Sequence, residues 1–138
     1  MARIADRMEF EGLVPVARWK GCGSDTNMYR QKIRGIYTCA AGLGALTKNR
    51  CVLATSHVPT MRPVLAATQS TTIDHITNGR FALNIVCGCF RNEMELFGGS
   101  LMEHDKTCDY GAELLDVMIK RWTIDGEHFN VRGRFEIT

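Results

Sequence analysis

The stretch from Cys51 to Val86 constrains the fold of this chain more than any other. CVLATS (Cys51–Ser56) is a short, apolar, partly β-branched run, and FALNIV (Phe81–Val86) is a second one. Between them lies a helix-length segment that Pro63 opens and Asn78-Gly79 stops. Proline suits the first turn of a helix, where its missing N–H costs nothing, and Asn-Gly supplies the left-handed backbone that ends one. Strand, helix, strand at this spacing is a βαβ unit. Its two strands lie parallel in one sheet, with the helix packed outside it.

The rest of the chain extends the alternation. Arg3 to Phe10 reads as a helix with Ile4 and Met8 on one face, and GLVPV (Gly12–Val16) as a strand with Pro15 near its end. Ile36 to Leu46 is small and apolar, as a helix lying close against a sheet would be. Asp105 to Trp122 carries a helical stripe of Leu114, Leu115, Met118, Ile119 and Trp122. Phe129–Val131 and Arg134–Ile137, joined around Gly133, read as a β-hairpin. The predicted order is α-β-α-β-α-β-α and a hairpin, an α/β fold with a parallel sheet. Ligands in such folds gather beyond the carboxyl ends of the strands. The segments to watch are therefore Ala17 to Gln31, His57 to Arg62, and Cys87 to Glu103, the last read as a long loop.

Composition removes several functions. A chain of 138 residues fits one modest domain, and a net charge of +2 gives no concentrated basic face for nucleic acid. No apolar run reaches the roughly 20 residues that span a bilayer, which argues against a membrane partner. MARIADRMEF lacks a signal-peptide core, so a cytoplasmic location with six reduced thiols is expected. Cys87 and Cys89 would share a face if they lay on a strand. No second pair completes a tetrahedral zinc set, so no metal site is expected. The basic run Arg18, Lys20, Arg30, Lys32, Arg34 is either a solvated loop or a seat for an anionic ligand. No strand is followed by G-x-G-x-x-G, which disfavours a standalone nucleotide-binding domain; G-x-S-x-G, P-loop and H-E-x-x-H motifs are also missing.

One residue does not fit a purely structural strand. Asn84 places a carboxamide in an apolar run, and a buried amide without a partner is costly. The partner is either the protein or a ligand. Three blocks bear on this: FEGLVPVARWKGCG (Phe10–Gly23), LATSHVPTMRPVLAATQSTTIDHITNGRFALNIVCG (Leu53–Gly88), and EMELFG with the helix after it. In collinear order over nearly the whole chain they resemble the flavin-dependent luciferase-like monooxygenases, nearest the branch of alkanesulfonate monooxygenase and pyrimidine oxygenase. IDHITNGRFALN is the most specific segment.

The resemblance implies a (β/α)₈ TIM barrel that uses reduced FMN, supplied by a separate flavin reductase, and O2 to oxidise a small organic substrate. In that frame residues 1–138 form a single domain, the N-terminal half of the barrel without its first strand. Carried over by position, Ala17 and Arg18 lie where the loop after the first visible strand meets the flavin. Asn84 matches an inward-facing flavin contact, and Glu93 a contact in the next loop. Departures accompany the match. Cys89 stands where the family commonly has Trp, and Thr107-Cys108 stand where the pyrimidine oxygenase branch has an Arg-Tyr pair that helps hold FMN. Since a full barrel takes roughly 250 residues, a partial barrel with open sheet edges is expected to self-associate, most simply as a homo-oligomer. The alternative to an enzyme is a non-catalytic partial barrel that acts through self-association or docking to another chain.

Overall fold

The computed structural model describes residues 1–19, 35–88, 91–100 and 102–124. In these, helix α1 (Ala2–Arg7) leads to strand β1 (Gly12–Leu13), α2 (Ile36–Leu46), β2 (Cys51–His57) and a single 3-10 turn (Val58–Thr60). Helix α3 (Pro63–Thr77), β3 (Phe81–Val86), α4 (Arg91–Leu96) and α5 (His104–Thr123) follow. The sheet order is β1-β2-β3, and β1 pairs parallel to β2 with Gly12 opposite Cys51 and Leu13 opposite Val52. The Val52 N–H donates to the Arg80 carbonyl at 2.9 Å, which starts the β2–β3 pairing across the α3 crossover.

The central βαβ unit falls where the sequence places it, and the terminators work as expected. Asn78 and Gly79 both take left-handed backbone, with φ of 59° and 77°. Their N–H groups close onto His75 and Asp74. Other elements differ from the sequence reading. Helix α1 stops at Arg7 rather than Phe10, because Glu9 turns left-handed at φ 62°. Strand β1 has two residues rather than five: Pro15 has no N–H to give the ladder and restricts Val14 before it. The segment read as a loop from Cys87 to Glu103 contains α4. The hairpin expected between Phe129 and Ile137 lies outside the described residues.

Two compact units divide the contacts, one of Met1–Thr55 with Ser70–Asn84 and one of Ser56–Gln69 with Ile85–Thr138. In the first, α2 and the end of α3 pack closely, since a Cβ on Gly44 would lie 2.4 Å from the Thr77 methyl. That methyl is held in place because the Thr77 hydroxyl donates to the Asp74 carbonyl at 3.1 Å. Asp6 on α1 secures the bend before β2. Its carboxylate accepts from the Lys48 and Asn49 N–H groups at 3.0 and 3.1 Å, with Arg50 Nε 3.6 Å away. The Lys48 bond leads in holding the Asp6 carboxyl below the usual carboxylate range, joined by the Asn49 bond and by Arg50 and Arg80, against a partial desolvation cost. A carboxylate with a lowered folded pKa contributes stability above its unfolded pKa and loses it as pH falls through the folded one. Asp6→Asn is therefore expected to lower Tm at neutral pH. The gap to the parent should narrow below about pH 4, as thermal melts across that range will show.

In the second unit α5 supplies the core. Thr107, Gly111, Leu114, Val117 and Met118 are buried. Two residues of the predicted stripe, Leu114 and Met118, are fully enclosed, while Leu115, Ile119 and Trp122 are 36%, 45% and 43% exposed. The buried face is rotated toward small residues, and the sequence stripe, drawn through large side chains alone, missed Thr107 and Gly111. Trp122 keeps a role at the edge, its Nε1 donating to the Ala67 carbonyl at 3.3 Å. Glu103 caps the helix by accepting from the Asp105 and Lys106 N–H groups. Lys120 and Arg121 in the last turn suit the dipole.

Candidate functional site

The first unit holds Ala17, Arg18 and Asn84, and the second holds Glu93. Asn84 sits toward the carboxyl end of β3 and is exposed. Its Nδ2 donates to Thr55 Oγ1 on β2 at 3.3 Å. The two side chains therefore share one face of the sheet, and the bond orients the carboxamide. Asn84 thus has a partner within the protein and is also exposed.

Ala17 and Arg18 follow β1 and are half-buried. Arg18 borders an open apolar groove of about 670 Å³, lined also by Met1, Ile4, Met8, Phe10, Leu13, Val14, Val16 and Ile36; Asn84 is not part of that lining. Ile4, Met8, Phe10, Val14 and Val16 are exposed there. Such a run of unpaired apolar side chains marks a surface that another element can cover.

Glu93 differs from its sequence reading. It lies in the first turn of α4 rather than in a loop, and it is 1% exposed. Its place near a helix N-terminus is electrostatically favourable for a carboxylate.

Sequence reasoning missed Thr55, the support for Asn84, and His57, which is 6% exposed at the end of β2. The signal was available: ATSH ends an apolar strand with three consecutive polar residues, of which Thr55 and His57, two apart, share a face. It also missed a thiol pair. Burial first, then the neighbouring Cys108 thiol, pushes the Cys87 pKa up. Cys87 lies beyond the end of β3, so the strand geometry considered for Cys87 and Cys89 does not apply, and Cys89 is outside the described residues. Among the described residues no group of three or more His, Cys, Asp or Glu side chains is arranged to hold a metal, and no helix is long and apolar enough to cross a membrane.

The Arg-Tyr position is occupied differently as well. Thr107 is buried, and its hydroxyl donates to the Glu103 carbonyl at 2.8 Å, a bond within the helix start. Cys108 is exposed, with its Sγ 3.9 Å from His104 Nε2.

Comparison with known proteins places these features. The sequence profile of luciferase-like monooxygenases matches residues 1–138. A pyrimidine monooxygenase, RutA, of Pseudomonas savastanoi pv. phaseolicola is 30% identical over 140 residues, covering 96% of this chain and 38% of the relative. An FMNH(2)-dependent dimethylsulfone monooxygenase of Pseudomonas putida is 33% identical over 136 residues, covering 98% of this chain and 35% of the relative. The chain thus spans little more than a third of the length of these relatives. Among solved structures, EDTA monooxygenase (EmoA) from Chelativorans sp. BNC1 matches with a TM-score of 0.78 at 18% identity, over 88% of this chain and 28% of that one. Long-chain alkane monooxygenase (LadA) matches with a TM-score of 0.77 at 23% identity, over 88% and 30%.

Proposed function

The chain belongs to the luciferase-like monooxygenase family, and from that premise we propose that it forms the N-terminal part of an FMN-dependent monooxygenase. The reaction is oxidation of a small organic substrate with O2 and reduced flavin from a separate reductase. The observation that carries this reading is the Asn84–Thr55 pair. An exposed carboxamide, oriented by a neighbour on the next strand, stands toward the carboxyl end of a parallel sheet, where α/β folds bind ligands. A flavin ring edge presents alternating carbonyl and N–H groups, and a carboxamide has both a donor and an acceptor to meet them.

In this reading Asn84 binds the ring and Thr55 fixes its rotamer. Ala17 lets the loop backbone approach, and Arg18 adds positive charge beside it. The flavin supplies the redox chemistry; these residues orient it and, with the rest of the barrel, exclude water. The names of the relatives make cyclic amides and small sulfones the substrate classes to try first.

The test titrates reduced FMN anaerobically into the parent, Asn84→Ala and Thr55→Val. Asn84→Ala is expected to weaken binding about tenfold, the loss of one good hydrogen bond, and Thr55→Val less. A second reading rests on the apolar groove beside α1, which suits a partial barrel that works by self-association. No flavin binding by the parent, together with a stable dimer in sedimentation, would select that reading instead.

A further inference from the structure

We propose that α5 is a self-association surface, on which a second copy of this chain docks antiparallel through an exposed apolar seam. The surface belongs wholly to the second unit and involves neither the residues assigned to the flavin nor the groove beside α1.

Helix α5 carries two apolar faces. Thr107, Gly111, Leu114, Val117 and Met118 are buried within the unit. Cys108, Ala112, Leu115, Ile119 and Trp122 form the other, and all of them are exposed. Their spacing alternates four and three residues, which keeps side chains on one line along a helix and is the spacing that paired helices use as a seam. Single exposed apolar residues are ordinary, but a continuous line of them is a surface that water disfavours.

The seam is complementary to itself. With the helices antiparallel and Leu115 set against Ile119 of the second copy, Ala112 falls opposite Trp122 of that copy, and the two-fold axis repeats both layers. The smallest residue of the seam thus meets the largest, as interdigitating layers require. Trp122 is already oriented, because its Nε1 donates to the Ala67 carbonyl at 3.3 Å, so docking has less side-chain freedom to remove. Charge selects the same direction. Asp116 and Lys120 flank the seam on one side as an ion pair 2.6 Å apart. In the antiparallel register Lys120 also comes beside Asp116 of the second copy, and the two helix dipoles oppose. A parallel pair would stack Trp122 on Trp122, leave a gap between the two Ala112 residues and bring Lys120 against Lys120. The contact is one helix wide, smaller than a standard interface, so association at roughly tens of micromolar is expected.

The 138-residue chain, kept reduced, is to be followed by sedimentation equilibrium from about 1 to about 500 μM. A monomer–dimer equilibrium is expected. Ile119→Glu should weaken it about tenfold or more and leave the circular dichroism spectrum unchanged, since Ile119 is exposed in the monomer. Ala112→Leu should weaken it too, because Trp122 of the second copy then has no room. Lys120→Glu should loosen the dimer, and adding Asp116→Lys in the same chain should restore it. An equimolar mixture of Leu115→Cys and Ile119→Cys, gently oxidised and peptide-mapped, should join those two positions across copies. Links only between like positions would show a parallel pair and overturn the proposal. A monomer at every concentration would also overturn it. So would a dimer that survives Ile119→Glu and is lost in Met8→Glu, which would place association in the groove beside α1.

Discussion

Replacing Arg80 with alanine is expected to lower stability by about 2–4 kcal/mol. The reason lies in where its guanidinium ends. Nη2 donates to the Gly44 and Thr47 carbonyls at 3.3 and 2.9 Å, and Nη1 to the Arg50 carbonyl and the Thr47 hydroxyl. Gly44 and Thr47 belong to the C-terminal end of α2, where carbonyls lack helical partners and the dipole favours a cation. A hydrogen bond from a charged donor contributes about 1.5–3 kcal/mol, and the site is only half-buried, so water will recover part of the loss. Urea unfolding should show a lower midpoint with an unchanged slope. Arg80→Lys should restore less than half, because an ammonium cannot fork across four acceptors. A loss under about 1 kcal/mol for Arg80→Ala would mean that solvent replaces the clamp.

The clamp adds a structural role to IDHITNGRFALN, the segment most specific in the sequence. Asn78-Gly79 breaks α3 with two left-handed residues. The Arg80 side chain then ties the chain to the end of α2, while its carbonyl accepts from Val52 and opens the β3 pairing. Four residues later the same strand presents Asn84. Turn and strand are local consequences of residue type, so the sequence carries them; the clamp reaches back to Gly44, Thr47 and Arg50 and shows only in the structure. Their order also fixes the register of Asn84, and a slip of one residue would turn it to the opposite face.

What sequence could not show depends on distant neighbours. Half the positions of Arg91–Leu96 are charged, and nothing in RNEMEL reveals that Glu93 and Met94 will be buried; only the surrounding structure decides that. Gly111 is unremarkable in a helix until the Cys87 thiol is seen above it. The stripe on α5 was drawn through its large residues, yet the buried face passes through Thr107 and Gly111, because close packing there favours small side chains. Periodicity reports which residues prefer burial. It does not report which neighbour will bury them.

The other large effect concerns the cofactor, and it is the weakness of phosphate recognition on α5. FMN and riboflavin differ by one phosphate, so their affinities for the 138-residue chain compare the phosphate site directly. Where the resemblance implies an Arg-Tyr pair, the chain has Thr107, buried with its hydroxyl on the Glu103 carbonyl, and Cys108, an exposed thiol beside His104. Neither is a cationic fork, and two missing charge-assisted bonds at the lower end of their range amount to about 3 kcal/mol. That corresponds to about a hundredfold in affinity. FMN is therefore expected to bind no more than a few-fold tighter than riboflavin, roughly within 1 kcal/mol. Asn84→Ala should weaken both ligands equally, since the proposed partner of its carboxamide is the ring they share. Raising salt should change little, because few phosphate contacts remain to be screened. A hundredfold preference for FMN that falls steeply with salt would overturn this expectation. It would assign the phosphate to the basic run from Arg18 to Arg34, whose sequence already allowed for an anionic ligand.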